Sequence, residues 1–288
     1  MAAFEACARG TLPPNVALMQ VLIEAEQPDE IEPSLQAARE AADPEGATRL
    51  DAVSSLWRRA PRSWETVRFV LAHANHGGSS HSRNPAHWAQ VFDRLAGVAP
   101  DAGAALYALG SADLLAAATA SIIERLRAWD LLRGDSVALD LGCGPGRITA
   151  ALAREVRTVI GIDVSRGMLW EARRRCAGLT NVLFAQTSGR DLGAIASGAF
   201  DLVLAVDTFP YLVLAGDDLA SIHLKEAYRV LKPGGSLIAF NYSYSGNIAH
   251  DSLMFRRLAE EARLEPIRLG TTDLAWWDGV TYHVRRPA

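Results

Sequence analysis

The chain has 288 residues, 49% hydrophobic and 22% charged, with a formal net charge of −4. That length and balance fit one large globular domain or two smaller ones with ordinary cores, and the acidic total argues against a nucleic-acid scaffold. Three cysteines, Cys7, Cys143 and Cys176, are far apart and odd in number, which fits a reducing, cytoplasmic setting without a disulfide framework.

The first residues, Met1-Ala2-Ala3-Phe4-Glu5-Ala6-Cys7, carry an acid and lack an apolar core, so they do not read as a secretory signal. Pro13-Pro14-Asn15 caps an expected helix over Val16 to Ile23, and Pro33, Pro44 and Pro61 read as first-turn prolines of three more. The stretch from His76 to Pro85, with Gly77-Gly78-Ser79-Ser80, is the expected linker, giving a helical domain over 1–85 and a second domain over 86–288. Helices are expected over Ala86 to Gly97 and Ser111 to Leu132. The apolar stretches near 103–123 and 201–216 are broken by Asp113 and by Asp207 with Pro210, so neither predicts a membrane span.

From residue 136 strand and helix patterns alternate: strands over 136–141, 157–163, 181–186, 201–206 and 235–242, helices over 146–155, 165–177, 217–231 and 250–263. Such alternation predicts a doubly wound α/β fold with a mostly parallel sheet. Two closing strands, near 265–269 and 280–286, have no helix between them and can pair antiparallel. Trp276-Trp277-Asp278-Gly279 reads as their hairpin turn, its aromatics on the sheet.

The first strand of this series ends in Asp140 and a turn with glycines at 142, 144 and 146, which lets the backbone approach a ligand without a Cβ in the way. A helix follows at once, with free N–H groups at its start. The dinucleotide fingerprint would need a glycine at 147, where Arg147 stands, and no Gly-Lys-Ser/Thr of a phosphate loop occurs. The next strand, Val159-Ile160-Gly161-Ile162-Asp163, ends in a second acid 23 residues after Asp140. One strand-helix-strand unit has that length, and an acid at such an edge accepts hydrogen bonds from ribose hydroxyls.

Here the chain resembles the class I S-adenosylmethionine-dependent methyltransferases. The likeness rests on Asp140-Leu141-Gly142-Cys143-Gly144-Pro145-Gly146-Arg147, on Gly161-Ile162-Asp163-Val164-Ser165 with Met168-Leu169, and on Arg229-Val230-Leu231-Lys232-Pro233-Gly234-Gly235. It implies a Rossmann-like seven-stranded sheet ending in an antiparallel hairpin, and S-adenosylmethionine as cofactor, with S-adenosylhomocysteine as product. It further implies Asp140 facing the methionine ammonium, the glycine turn with Arg147 around the cofactor, Asp163 on the ribose and Met168 against adenine. The family's acid for the adenine amine has no clear equivalent, which leaves Thr187, Gly189 or Asp191, with Asp191 preferred. Asp207 falls beside the reactive methyl, with Phe209 and Tyr211 as pocket walls. The Asn/Asp-Pro-Pro-Tyr/Phe motif of methyltransferases acting on adenine or glutamine is missing, so the expected acceptor is a small molecule methylated on O or N.

In-line methyl transfer draws most of its rate from positioning, and a general base is needed only for a protonated acceptor. The expected catalytic group is His250, Asp207 and Tyr242, with His223 and Tyr244 as further base candidates. His73, His76, His81 and His87 have no cysteine or carboxylate cluster beside them, so no metal site is expected. Arg173-Arg174-Arg175 reads as a solvated helix face. The helical region is expected to cover the active site or form a homodimer contact. A non-catalytic cofactor-binding regulator is the alternative function.

Overall fold

The computed structural model describes residues 2–74 and 84–288, so most of the expected linker, with His76 and His81, lies outside the described residues. The chain forms two compact units, one of residues 1–76, 101–121 and 274–278, the other of residues 77–100, 122–273 and 279–288. The expected cut after residue 85 therefore places two segments differently: 101–121 and 274–278 pack with the N-terminal helices.

The helical unit contains α1 (Ala2–Ala8), α2 (Pro14–Glu24), α3 (Ile31–Ala41), α4 (Pro44–Arg59) and α5 (Ser63–Ala74). Phe4, Leu18, Leu22, Ile31 and Leu50 are fully buried in it. Pro44 begins α4, where Asp43 Oδ1 accepts from Gly46 N at 2.7 Å, and Pro33 lies in the first turn of α3. Pro61 differs from expectation, standing in a turn two residues before α5. Asn15 is no cap either: it sits inside α2, buried, and its Nδ2 donates to the carbonyls of Tyr107 and Trp276, each at 2.9 Å. Trp277 stacks on Tyr107 with centroids 5.0 Å apart, so this aromatic belongs to the helical unit and not to the sheet. A partly buried carbonyl and a large ring of residues 274–278 thus find their partners on α2 and Tyr107.

The second unit includes α6 (Pro85–Ala96), and in chain order α7 (Pro100–Ala104) and α8 (Ala112–Ala128) follow. Then follow β1 (Val137–Leu141), α9 (Arg147–Leu152), β2 (Thr158–Asp163), α10 (Arg166–Arg175), β3 (Val182–Gln186), β4 (Phe200–Val206), α11 (Phe209–Ala215), α12 (Asp217–Val230), β5 (Leu231–Phe240), α13 (Ile248–Glu261), β6 (Glu265–Thr272) and β7 (Val280–Arg285). The seven strands form one sheet in the order β3-β2-β1-β4-β5-β7-β6. Pairs from β3 to β5 are parallel, and β7 runs antiparallel to both β5 and β6, the hairpin the sequence predicts. Strand residues Leu139, Val203, Leu237 and Tyr282 share a core with Leu224 of α12 and Phe255 of α13. Because β1 to β5 are parallel, the segments that follow them all emerge at one carboxyl edge, and the strand order reverses between β1 and β4. A crevice forms at such a reversal. Among the described residues no helix is long and apolar enough to cross a membrane.

Candidate active site at the carboxyl edge

The turn after β1 is shaped by what its glycines touch. Gly142, Gly144 and Gly146 all have positive φ, 71°, 52° and 76°. A Cβ on Gly142 would collide with Thr208 Oγ1, which donates to the Leu141 carbonyl at 2.7 Å, and one on Gly146 would stand 2.9 Å from Ala172 Cα. The loop is thus threaded between the start of α11 and the body of α10, and only glycine fits both conformation and space.

Two carboxylates flank it. Asp140 is 1% exposed and its Oδ2 accepts from Thr149 Oγ1 at 2.5 Å; burial raises its pKa from 3.8 to about 6, against the opposing pull of Thr149 and Arg147. Asp163 is 8% exposed, its Oδ2 accepting from Gly144 N and its Oδ1 from Ser165 N, both at 2.8 Å. Burial raises it to about 6 as well, although three backbone hydrogen bonds work the other way. The same desolvation pushes the Cys143 thiol up, which holds it in the neutral form.

Further along the edge, Asp207 holds φ 56° just after β4 and Asn241 holds φ 61° just after β5. Asn241 Nδ2 donates to Asp207 Oδ1 at 2.9 Å, while Asn241 Oδ1 accepts from Val280 N. Tyr244 is hydrogen-bonded to both Asp207 and Tyr211, and desolvation with the Asp207 charge raises the phenols of Tyr211 and Tyr244. The Tyr244 residue as a whole is 48% exposed while its hydroxyl is turned inward to these partners. Tyr211 meets Trp88 edge-on at 4.8 Å, Phe92 at 5.1 Å and Tyr244 at 5.9 Å, which makes an aromatic wall from α6, α11 and the loop after β5.

Residues 138–235 match the family model described as a methyltransferase domain. The chain is 31% identical over 166 residues to the ubiquinone biosynthesis O-methyltransferase of Methylococcus capsulatus, covering 51% of this chain and 67% of that protein. It is 37% identical over 108 residues to the demethylmenaquinone methyltransferase of Tropheryma whipplei, covering 37% of this chain and 41% of that one. Among solved structures, Haemonchus contortus phosphoethanolamine N-methyltransferase 1, in complex with phosphoethanolamine and S-adenosylhomocysteine, superposes with a TM-score of 0.57 over 75% of this chain and 51% of its own. At 17% identity that likeness shows the fold alone. This chain belongs to the class I S-adenosylmethionine-dependent methyltransferases.

In this methyltransferase the structure brings Asp140, the glycine turn, Arg147, Asp163 and Met168 to one stretch of the edge; Met168 is 1% exposed, with its N–H on Ser165 Oγ at 3.0 Å. Thr187 N donates to the Asp163 carbonyl at 3.0 Å, so it adjoins the second acid. Asp191 is exposed, and its Oδ1 is taken by Gly193 N at 2.9 Å, the geometry of a local turn. Of the expected catalytic group, Asp207 is hydrogen-bonded by Tyr244. Tyr242 packs among Phe209, Phe255 and Tyr282. His250 is exposed in the first turn of α13, where its backbone N–H meets Asn247 Oδ1 at 3.0 Å. His223 is buried in α12, its Nδ1 on the Leu219 carbonyl at 2.8 Å, and burial lowers its pKa.

Among the described residues no group of three or more His, Cys, Asp or Glu could hold a metal ion. Sequence reasoning missed Asn241, Trp88, Phe92 and Asp93. Only the positive φ of Asn241 after a strand end had a local signal, since Asn is a residue that tolerates it.

Proposed function

We propose that this methyltransferase binds S-adenosylmethionine along Asp140, the glycine turn, Asp163 and Met168, and methylates an O or N atom of a small-molecule acceptor held beside Asp207, Tyr211 and Tyr244. The observation that carries this reading is the pair of deeply buried carboxylates at the strand-order reversal, both raised to about 6 and separated by three positive-φ glycines. Burial there leaves negative charge under-compensated, and a ligand bearing an ammonium and paired hydroxyls supplies what is missing. When bound, S-adenosylmethionine supplies a methyl group on a positively charged sulfur.

Asp140 would face the ammonium and Asp163 the ribose hydroxyls, while Arg147, Met168, Thr187 and Asp191 border the rest. Asp207 would accept the acceptor's proton, and Tyr244, hydrogen-bonded to it, would orient that carboxylate. The relatives named as a ubiquinone biosynthesis O-methyltransferase and a demethylmenaquinone methyltransferase support a small-molecule acceptor.

Calorimetric titration with S-adenosylhomocysteine tests the cofactor half. The wild-type chain is expected to bind, and Asp163→Ala to bind about thirty- to a hundredfold more weakly, because the change removes an ionised acceptor worth about 2–3 kcal/mol. Methyl transfer from labelled S-adenosylmethionine to a panel of phenols, catechols and amines, with Asp207→Asn as the inactive control, tests the acceptor half. Unchanged binding by Asp163→Ala overturns the cofactor assignment.

A further inference from the structure

The helix α6 touches three separate places along the carboxyl edge. At its start, Pro85 lies against Gly189 in the loop after β3, where an added Cβ would come within 3.0 Å of the proline ring. In its middle, Trp88 and Phe92 pack on Tyr211 at the start of α11. Near its end, Asp93 Oδ1 accepts from Ser165 Oγ at 2.6 Å and from Gly167 N at 2.8 Å, at the first turn of α10. Gly167 is what permits this approach, since a Cβ there would meet Ala96 Cβ at 3.0 Å and the Asp93 backbone at 3.3 Å.

The Asp93 latch continues without a break into the proposed cofactor site. Ser165 Oγ, which donates to Asp93, also accepts from Met168 N at 3.0 Å. Ser165 N donates to Asp163 Oδ1, and Asp163 Oδ2 in turn accepts from Gly144 N. One carboxylate on α6 therefore fixes the residue that orients the ribose-facing acid, while the same helix carries two of the rings in the aromatic wall. The Asp93 charge also acts on Asp163, raising it further.

Resting on the cofactor reading above, we infer that Asp93 is a positioning residue: it couples the cofactor-facing loop of Asp163 to the acceptor-facing wall of Trp88, Phe92 and Tyr211. Occupation of one side is transmitted to the other through a rigid helix held at both ends. Asp93 Oδ1 acts as the acceptor of both hydrogen bonds, so an amide oxygen can replace the carboxylate. A role limited to charge at the start of α10 would not allow that replacement.

The test is calorimetry with S-adenosylhomocysteine on the full chain, joined to near-ultraviolet circular dichroism. The band change on binding that is absent in Trp88→Phe reports the wall. Asp93→Ala is expected to raise the dissociation constant about tenfold, the loss expected for one such contact, and to lose the Trp88 band change. Asp93→Asn is expected to keep both within about twofold. If Asp93→Ala fails to fold, Gly167→Ala, which wedges a methyl between α6 and α10, is expected to reproduce its effects. Equal weakening by Asp93→Ala and Asp93→Asn, or an unchanged Trp88 signal in a folded Asp93→Ala or Gly167→Ala variant, overturns the inference. Absence of binding by the wild type, or unchanged binding by Asp163→Ala, overturns the underlying cofactor reading instead.

Discussion

Asp140→Asn is expected to stabilise the ligand-free protein at neutral pH while abolishing tight cofactor binding. Asp140 is almost wholly buried and its pKa stands near 6 in place of 3.8, chiefly through desolvation. That rise corresponds to about 3 kcal/mol favouring the protonated acid in the folded state. The folded chain holds the proton more tightly than the unfolded chain, so stability is full below the unfolded value and falls as pH rises through about 6. Above about pH 7 the ionised carboxylate costs the fold its whole increment. An amide in its place keeps an oxygen to accept from Thr149 Oγ1 and carries no charge to bury. The gain from Asp140→Asn should approach about 2–3 kcal/mol near pH 8, fall to about 1 kcal/mol near pH 4.5 and vanish only near pH 3, below the unfolded value. Urea unfolding of wild type and variant at several pH values measures this, and titration with S-adenosylhomocysteine on the same samples measures the lost affinity. A stability difference that is independent of pH, or a variant no more stable than wild type near pH 8, would refute the reasoning.

Other expectations rest on separate parts of the molecule. Gly144→Val, at φ 52°, places a branched side chain in left-handed backbone and should remove S-adenosylhomocysteine binding while far-ultraviolet circular dichroism stays near wild type. Gly161→Ala sets a methyl 2.7 Å from the Phe184 ring and 3.1 Å from Cys143 Sγ, and should cost about 1–3 kcal/mol in denaturant unfolding. Asn15→Ala leaves the Tyr107 and Trp276 carbonyls without their donor and should destabilise the helical unit by about 2–3 kcal/mol; an unchanged melting midpoint would show that water replaces the side chain.

The parallel sheet, the glycine turn and the two acids were legible because each depends on local rules. Apolar runs of strand length alternate with helical patterns, glycines mark the positions that need positive φ, and the span of one strand-helix-strand unit fixes the distance from Asp140 to Asp163. Boundaries in the sheet came within a few residues except in β5, which starts at Leu231. There Lys232 Nζ meets Asp201 Oδ2 at 2.7 Å and the pairing with β4 shifts register between Phe200 and Leu202. The short helix α11 was not legible, because Asp207 to Tyr211 offers turn signals and too few residues for a helical period.

Sequence alone thus determined the fold class, the family and the strand edge at which Asp140, the glycine turn and Asp163 meet, since these follow from backbone conformation and from residues close together in the chain. Tertiary structure decided which side chains meet across long separations. Tyr244 reaches Asp207 from the next strand's loop, Asp93 reaches Ser165 from 72 residues away, and Trp277 turns to Tyr107 instead of the sheet. These pairings are set by where buried donors, charges and rings find partners once the strands are ordered, and no local pattern in the chain carries that information.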